Sequence, residues 1–280
     1  MPFKLVSEWL DPSKFSSNIF PEDSVVVTDN PMYYEDDKKL ILMMVEPEAI
    51  KPFRKQTIEN AHRFYRIYTC DEEVIERFPE KTIKVVGNYT LLKPDEIEKC
   101  SIEKKEFKVS SWAATKLFPG VPGHHLRAVL YFNQNLFPKN FVFFRTSRPY
   151  PYPPPPLGPI LPDINNNPLF ENKVPLFETF QFAITIENSK QKNYFTEKII
   201  DCLVARSIPI YWGCPNISEF FDTSGWIFFD DIDDLLKKVS ILDENYYSRY
   251  IETINNNFLE AMKYSNEHEN IERHHRLALE

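Results

Sequence analysis

The chain has 280 residues, 42% hydrophobic and 15% aromatic, enough for two lobes that each bury a core. A formal net charge of −8, with no Lys/Arg-rich stripe, argues against a nucleic-acid partner. The six glycines, at 87, 120, 123, 158, 213 and 225, build neither G-x-G-x-x-G nor a P-loop, which argues against a Rossmann dehydrogenase or an ATPase.

The sequence opens MPFKLVSEWLDPSKF. No signal peptide or membrane span is expected from it, and the expected location is cytoplasmic. Residues 1–101 read as a first α/β lobe. Strands are expected at 24–27 and 40–45, a helix over 51–65, a strand at 66–68 and a short helix over 71–78. The apolar run 40–45 delivers Glu46 at a strand end, where chain leaves a sheet and functional side chains commonly sit.

Residues 102–280 read as a second lobe. A strand begins at Phe107, and the helix expected over 123–135 carries Arg127 near its start. The run RPYPYPPPPLGPILP (148–162) is too rich in proline for helix and is expected as an extended surface loop. A strand at 176–186 and another at 225–229 follow, then helices over 232–242 and 246–264 and a polar terminal helix over 265–280. There are no internal repeats.

The densest signal lies in FAITIENSKQKNYFTEKIIDCLVARSIPIYWGCPNISEFF (182–221). An apolar strand leads to a polar loop at 188–193, then Phe195, Ile199, Ile200, Leu203 and Val204 recur at helical spacing. IPIYW (208–212) is a second strand, stopped by Gly213. This is a βαβ crossover and implies a parallel sheet. The helix entrance carries Tyr194, Thr196, Glu197 and Lys198 where unpaired N–H groups and a partial positive charge favour phosphate. On spacing alone, Glu197 and Lys198 read better as ordinary solvated first-turn residues than as ligands.

Other chemistry-bearing clusters have plainer explanations. The four cysteines form no C-x-x-C, and Cys202 reads as core filler. Asp230, Asp231, Asp233 and Asp234 hold a D-x-D that would suit a divalent cation on a diphosphate, but helix capping accounts for aspartates there. His268, Glu272 and His275, and the His124-His125 pair, lack the spacing of a metal motif.

The pattern F-x-I-x-x-E-N-S…Y-F-T-E-K-I-I-D…I-P-I-Y-W-G-x-P-N resembles the donor-binding signature of the α-1,3/4-fucosyltransferases, glycosyltransferase family 10. MMVEP (43–47), YRIYTCDEEVIER (65–77) and GHHLR (123–127) are similar to further family segments in family order. The resemblance implies a GT-B fold, an α/β architecture of two Rossmann-like lobes facing across a cleft. Residues 1–101 would be the acceptor-side lobe and 102–280 the nucleotide-sugar donor lobe.

It also implies an inverting transfer, most naturally of fucose from GDP-fucose, to a hydroxyl of a glycan, with no metal or other cofactor. Such a reaction needs one carboxylate as general base and positive charge beside the leaving diphosphate. By resemblance Glu46 is the base, Arg127 and Lys198 bind phosphate, Glu197 binds ribose, Tyr194 contacts the donor, and Glu187 with Asn188 shapes its pocket. The segment reads Glu46-Pro47-Glu48, so Glu48 stands as a rival base. Another nucleotide-sugar donor, and a non-catalytic glycan- or nucleotide-binding protein, remain alternatives.

Overall fold

Short β-branched runs build the first sheet. β1 (Phe3–Val6), β2 (Val25–Thr28), β3 (Lys39–Met44), β4 (Phe64–Thr69) and β5 (Thr82–Lys84) pair in that order, every pairing parallel. The computed structural model describes residues 3–7, 25–87, 89–146 and 161–265. All but the last two residues of the proline-rich loop expected at 148–162, and all but the first of the helix expected over 265–280, lie outside them, as do His268, Glu272 and His275. Both faces of the sheet are covered, as parallel sheets require. Val25, Val27, Ile41 and Met43 pack on one side, and Val26, Leu40, Leu42 and Met44 on the other.

The helix expected over 51–65 is shorter. α1 spans Arg54–Asn60 and a 3-10 turn takes Ala61–Arg63, because the aromatic and β-branched run FYRIYT goes to β4. α2 (Glu72–Arg77) begins where the Asp71 carboxylate accepts the Val74 N–H at 3.2 Å. α3 (Pro94–Lys99), which apolar periodicity does not announce, starts with proline at its first turn, and Glu96 accepts the Lys93 N–H at 2.8 Å. Val86, Leu92, Ile97 and Cys100 lie in the same core cluster as Phe195 and Ile199, so the chain from 86 to 100 packs against the second sheet's helices.

The second sheet also pairs only in parallel, in the order β11-β10-β9-β6-β7-β8. Its strands are β6 (Glu106–Ala113), β7 (Phe141–Thr146), β8 (Leu169–Phe170), β9 (Phe180–Ile186), β10 (Ile208–Trp212) and β11 (Ile227–Phe228). From β6 the chain builds outward to β8, then crosses to β6's other edge and builds outward to β11. The carboxyl ends of strands at such a reversal form the usual ligand crevice of an open α/β sheet.

α4 (Pro122–Phe132) connects β6 to β7, and α5 (Glu197–Val204) connects β9 to β10. α6 (Ile232–Val239) and α7 (Ile251–Ala261) complete the lobe. Every residue of α5 from Lys198 to Val204 is buried. Ile199, Ile200 and Leu203 each contribute about 1.5–3 kcal/mol by burial, so the helix entrance is fixed by core packing.

Candidate active site

β6 and β9 meet at the reversal of strand order, the place where an open α/β sheet usually forms its ligand crevice. β9 ends at Ile186 and is followed by Glu187 and Asn188. The N-terminus of α4 lies against this turn: the Gly123 N–H donates to the Asn188 carbonyl at 3.1 Å. A Cβ on Gly123 would fall 1.8 Å from the Glu187 carbonyl oxygen, so only glycine permits the approach.

Arg127 stands one turn into α4, half-buried. It donates to the Ile186 carbonyl at 2.5 Å and to Asn188 Oδ1 at 3.0 Å, and its guanidinium lies 5.7 Å from the Trp112 ring. Loss of solvation pushes it down to about 10, which leaves it cationic at neutral pH. Among the described residues it forms no ion pair with a carboxylate. Asn188 Nδ2 reaches the Tyr194 hydroxyl at 3.5 Å, and burial raises that phenol well above its usual range.

The entrance of α5 is held from within. Glu187, wholly buried, accepts the Thr196 N–H at 2.9 Å and its hydroxyl at 2.6 Å. Thr196 caps α5, and its hydroxyl also takes the Lys198 ammonium at 3.0 Å. Lys198, only 8% exposed, lies 3.2 Å from Glu197 and 3.7 Å from Glu187. Burial raises the Glu187 carboxyl against the pull of Lys198. For Glu197 burial works in the same direction, but Lys198 and Lys173, the latter at 3.6 Å, outweigh it and hold the carboxyl below its ordinary range.

From the first lobe, β3 delivers Glu46 to this entrance. The Pro47 carbonyl accepts the N–H groups of Ile50 and Lys51, at 2.8 and 3.0 Å, closing a tight turn. Lys51 pairs with Asp29 at 2.6 Å beyond β2. Glu46 is half-buried and, among the described residues, makes no hydrogen bond or ion pair. Desolvation raises its carboxyl; Lys198 opposes that, Glu197 adds to it, and Lys51 and Lys116 oppose it more weakly. The neighbouring Glu48 is engaged elsewhere: its Oε2 accepts the Arg54 N–H at the start of α1, at 3.1 Å.

Two nearby groups were not assigned to the site from the sequence. Lys116, in the loop after β6, has its ammonium lowered by desolvation and then by the like charge of Lys198, with Glu46 and Arg127 also acting on it. His124 is buried on α4 and accepts the Phe118 N–H through Nδ1 at 3.3 Å. Burial and the charges of Arg127, Lys116 and Lys198 push it down to about 3, so the ring is neutral.

The acidic run is occupied by capping and pairing. Asp231 accepts the Asp234 N–H at 2.9 Å, Asp234 accepts the Asp230 N–H at 3.0 Å and pairs with Lys238, and Asp230 pairs with Lys190. All four cysteines are free and buried. Among the described residues no helix is long and apolar enough to cross a membrane.

Residues 165–275 match the family model described as glycosyltransferase family 10 (fucosyltransferase), C-terminal. Alpha-(1,3)-fucosyltransferase FucT of Helicobacter pylori is 30% identical over 92 residues, 33% of this chain and 18% of that protein. Putative fucosyltransferase R654 of Acanthamoeba polyphaga mimivirus is 33% identical over 75 residues, 26% of this chain and 12% of that protein. The chain therefore matches less than a fifth of the length of these relatives. A crystal structure of an alpha1,3-fucosyltransferase superposes at a TM-score of 0.55 and 16% identity, covering 99% of this chain and 89% of that one. One solved with GDP-fucose gives 0.52 at 17% identity, covering 99% and 90%. These superpositions establish the fold: α/β, two parallel sheets in the GT-B arrangement.

Proposed function

We propose that the chain, whose residues 165–275 match the glycosyltransferase family 10 model, is a member of that family and moves fucose from GDP-fucose to a hydroxyl of a glycan, with inversion. The structural neighbour solved with GDP-fucose supports that donor. In this reading residues 1–101 form the acceptor-side lobe and 102–280 the donor lobe, with 86–100 packed on the donor lobe's core.

Glu46 takes the proton of the acceptor hydroxyl as that oxygen attacks the anomeric carbon. The bond from this carbon to the donor phosphate oxygen breaks, and its electron pair leaves with the diphosphate. A carboxylate whose proton affinity is raised by desolvation accepts a proton more readily. Arg127, Lys198 and Lys116, with the N–H groups at the start of α5, stabilise the departing charge without a metal. Glu197, kept ionised, accepts from ribose hydroxyls; Tyr194 and Asn188 line the donor; Glu187 acts by holding Thr196.

The observation that carries the reading is the pairing of roles across the lobes. An unpartnered carboxylate on the first lobe has Lys198, at the helix entrance of the second, as the largest charge acting on it. The test is a transfer assay with GDP-fucose, other GDP-sugars and UDP-sugars against a panel of oligosaccharides, with EDTA present and the product's anomeric configuration read by NMR. An inverted fucoside is expected. Transfer from UDP-sugars alone would keep the fold and overturn the donor, and a retained configuration would overturn the single-displacement mechanism.

A further inference from the structure

The loop at 188–193 that feeds α5 also reaches into the first lobe. Gln191 Oε1 accepts the Glu48 backbone N–H at 3.1 Å, which fixes the orientation of the amide and turns its Nε2 toward Cys70 Sγ, at 3.6 Å. Glu48 Oε2 accepts the Arg54 N–H, the Arg54 guanidinium pairs with Asp71 at 2.7 Å, and Asp71 follows Cys70 in the chain. Gln191 thus closes a ring of contacts around the turn that carries Glu46. Lys192 adds an outer pair with Glu72 at 3.0 Å, but both side chains are exposed, and such pairs are worth about 0–1 kcal/mol.

On the other side, the Gln191 carbonyl accepts the Tyr194 N–H at 3.2 Å, two residues before the Thr196 cap of α5. One residue therefore touches both the backbone that orients Glu46 and the backbone that opens the donor helix. The turn is also anchored from its own lobe, through Lys51 with Asp29 and Glu48 with Arg54.

We infer that Gln191 is a positioning residue that couples donor binding at α5 to the placement of Glu46, by clasping the Glu48 amide across the cleft. The inference rests on the transferase reading above. A nucleotide that orders residues 188–198 tightens the clasp and sets Glu46 at the distance needed to take a proton. Gln191 acts through the Glu48 amide rather than on the nucleotide, so its loss lowers turnover more than donor affinity, which falls only by the factor through which nucleotide tightens the clasp.

The test compares wild type with Gln191→Met, which keeps the volume but makes no hydrogen bond to Glu48, and Gln191→Glu, which keeps the acceptor. For Gln191→Met, kcat is expected to fall about three- to tenfold, the weight of one hydrogen bond, with GDP affinity within about twofold. Gln191→Glu is expected to recover most of the turnover. Unchanged kcat in Gln191→Met, or an equal loss of GDP affinity, would overturn the inference.

Amide hydrogen exchange at Glu48 gives a readout independent of turnover. Protection is expected to rise with GDP in wild type and to stay low in Gln191→Met. Wild-type protein that neither binds nucleotide nor transfers sugar would bring down the transferase reading itself. Glu48 exchange unaltered by Gln191→Met would bring down the clasp alone.

Discussion

Glu187 and Thr196 are joined twice, through the threonine's N–H at 2.9 Å and its hydroxyl at 2.6 Å, where the carboxylate has no access to solvent. This link ties the end of β9 to the cap of α5 and places Lys198 over the same crevice. Replacing Glu187 by Gln removes one acceptor and leaves Lys198 less compensated. A stability loss of about 1–3 kcal/mol is expected by urea unfolding. A double-mutant cycle with Thr196→Ala should show a coupling of about 0.5–3 kcal/mol; additive losses would show that the two residues do not act together.

Glu46 makes a prediction with opposite signs for activity and stability. Its folded pKa is raised, so the folded state binds this proton more tightly than the unfolded chain. Its contribution to stability is present below the unfolded pKa and lost as pH rises through the folded one. Glu46→Gln mimics the protonated form, so it should raise the melting temperature at pH 7 and have no such effect near pH 3. The same substitution should lower kcat by about 10²–10⁴-fold. The acidic limb of the wild-type profile should fall above the ordinary carboxylate range.

Arg127 is expected to show the difference between a fork and a point charge. Its bonds to the Ile186 carbonyl and to Asn188 leave further guanidinium N–H groups for phosphate oxygens. Arg127→Lys keeps the charge but cannot reproduce that geometry. GDP affinity should fall by about tenfold, with a stability loss of about 1–3 kcal/mol from the two broken bonds. Affinity equal to wild type would remove Arg127 from the donor site.

His124 predicts an acid weakness. A ring held neutral down to about 3 binds its proton less readily than in the unfolded chain. Stability should therefore decline as pH falls through about 6.5, the ordinary histidine value, toward 3. His124→Gln keeps an acceptor for the Phe118 N–H but does not titrate. Its urea midpoint should depend less on pH between 7 and 5 than that of wild type.

The residues that announce themselves in sequence are those whose roles are set by local pattern. The 182–221 unit folds as read because apolar periodicity fixes β9, α5 and β10, and the resemblance marks the same stretch. The helix expected over 51–65 was cut short because a strand-forming run overlapped its helical spacing. The engagement of Glu48 was not legible, since its carboxylate meets the Arg54 N–H six residues beyond it. Lys116 and Gln191 carried no signal, since the groups that act on them, Lys198 and Glu48, are far away in the chain. Gln191 meets Glu48 across 143 positions, a contact that only packing of the two lobes creates.

Calorimetric titration of GDP into wild type, Glu46→Gln and Lys198→Ala, with EDTA present throughout, tests the division of labour most directly. Wild type and Glu46→Gln should bind with similar affinity, and Lys198→Ala should lose binding by at least tenfold while remaining folded by circular dichroism. Equal binding by folded Lys198→Ala, or loss of binding in Glu46→Gln, would contradict a donor site on the second lobe served by a base from the first.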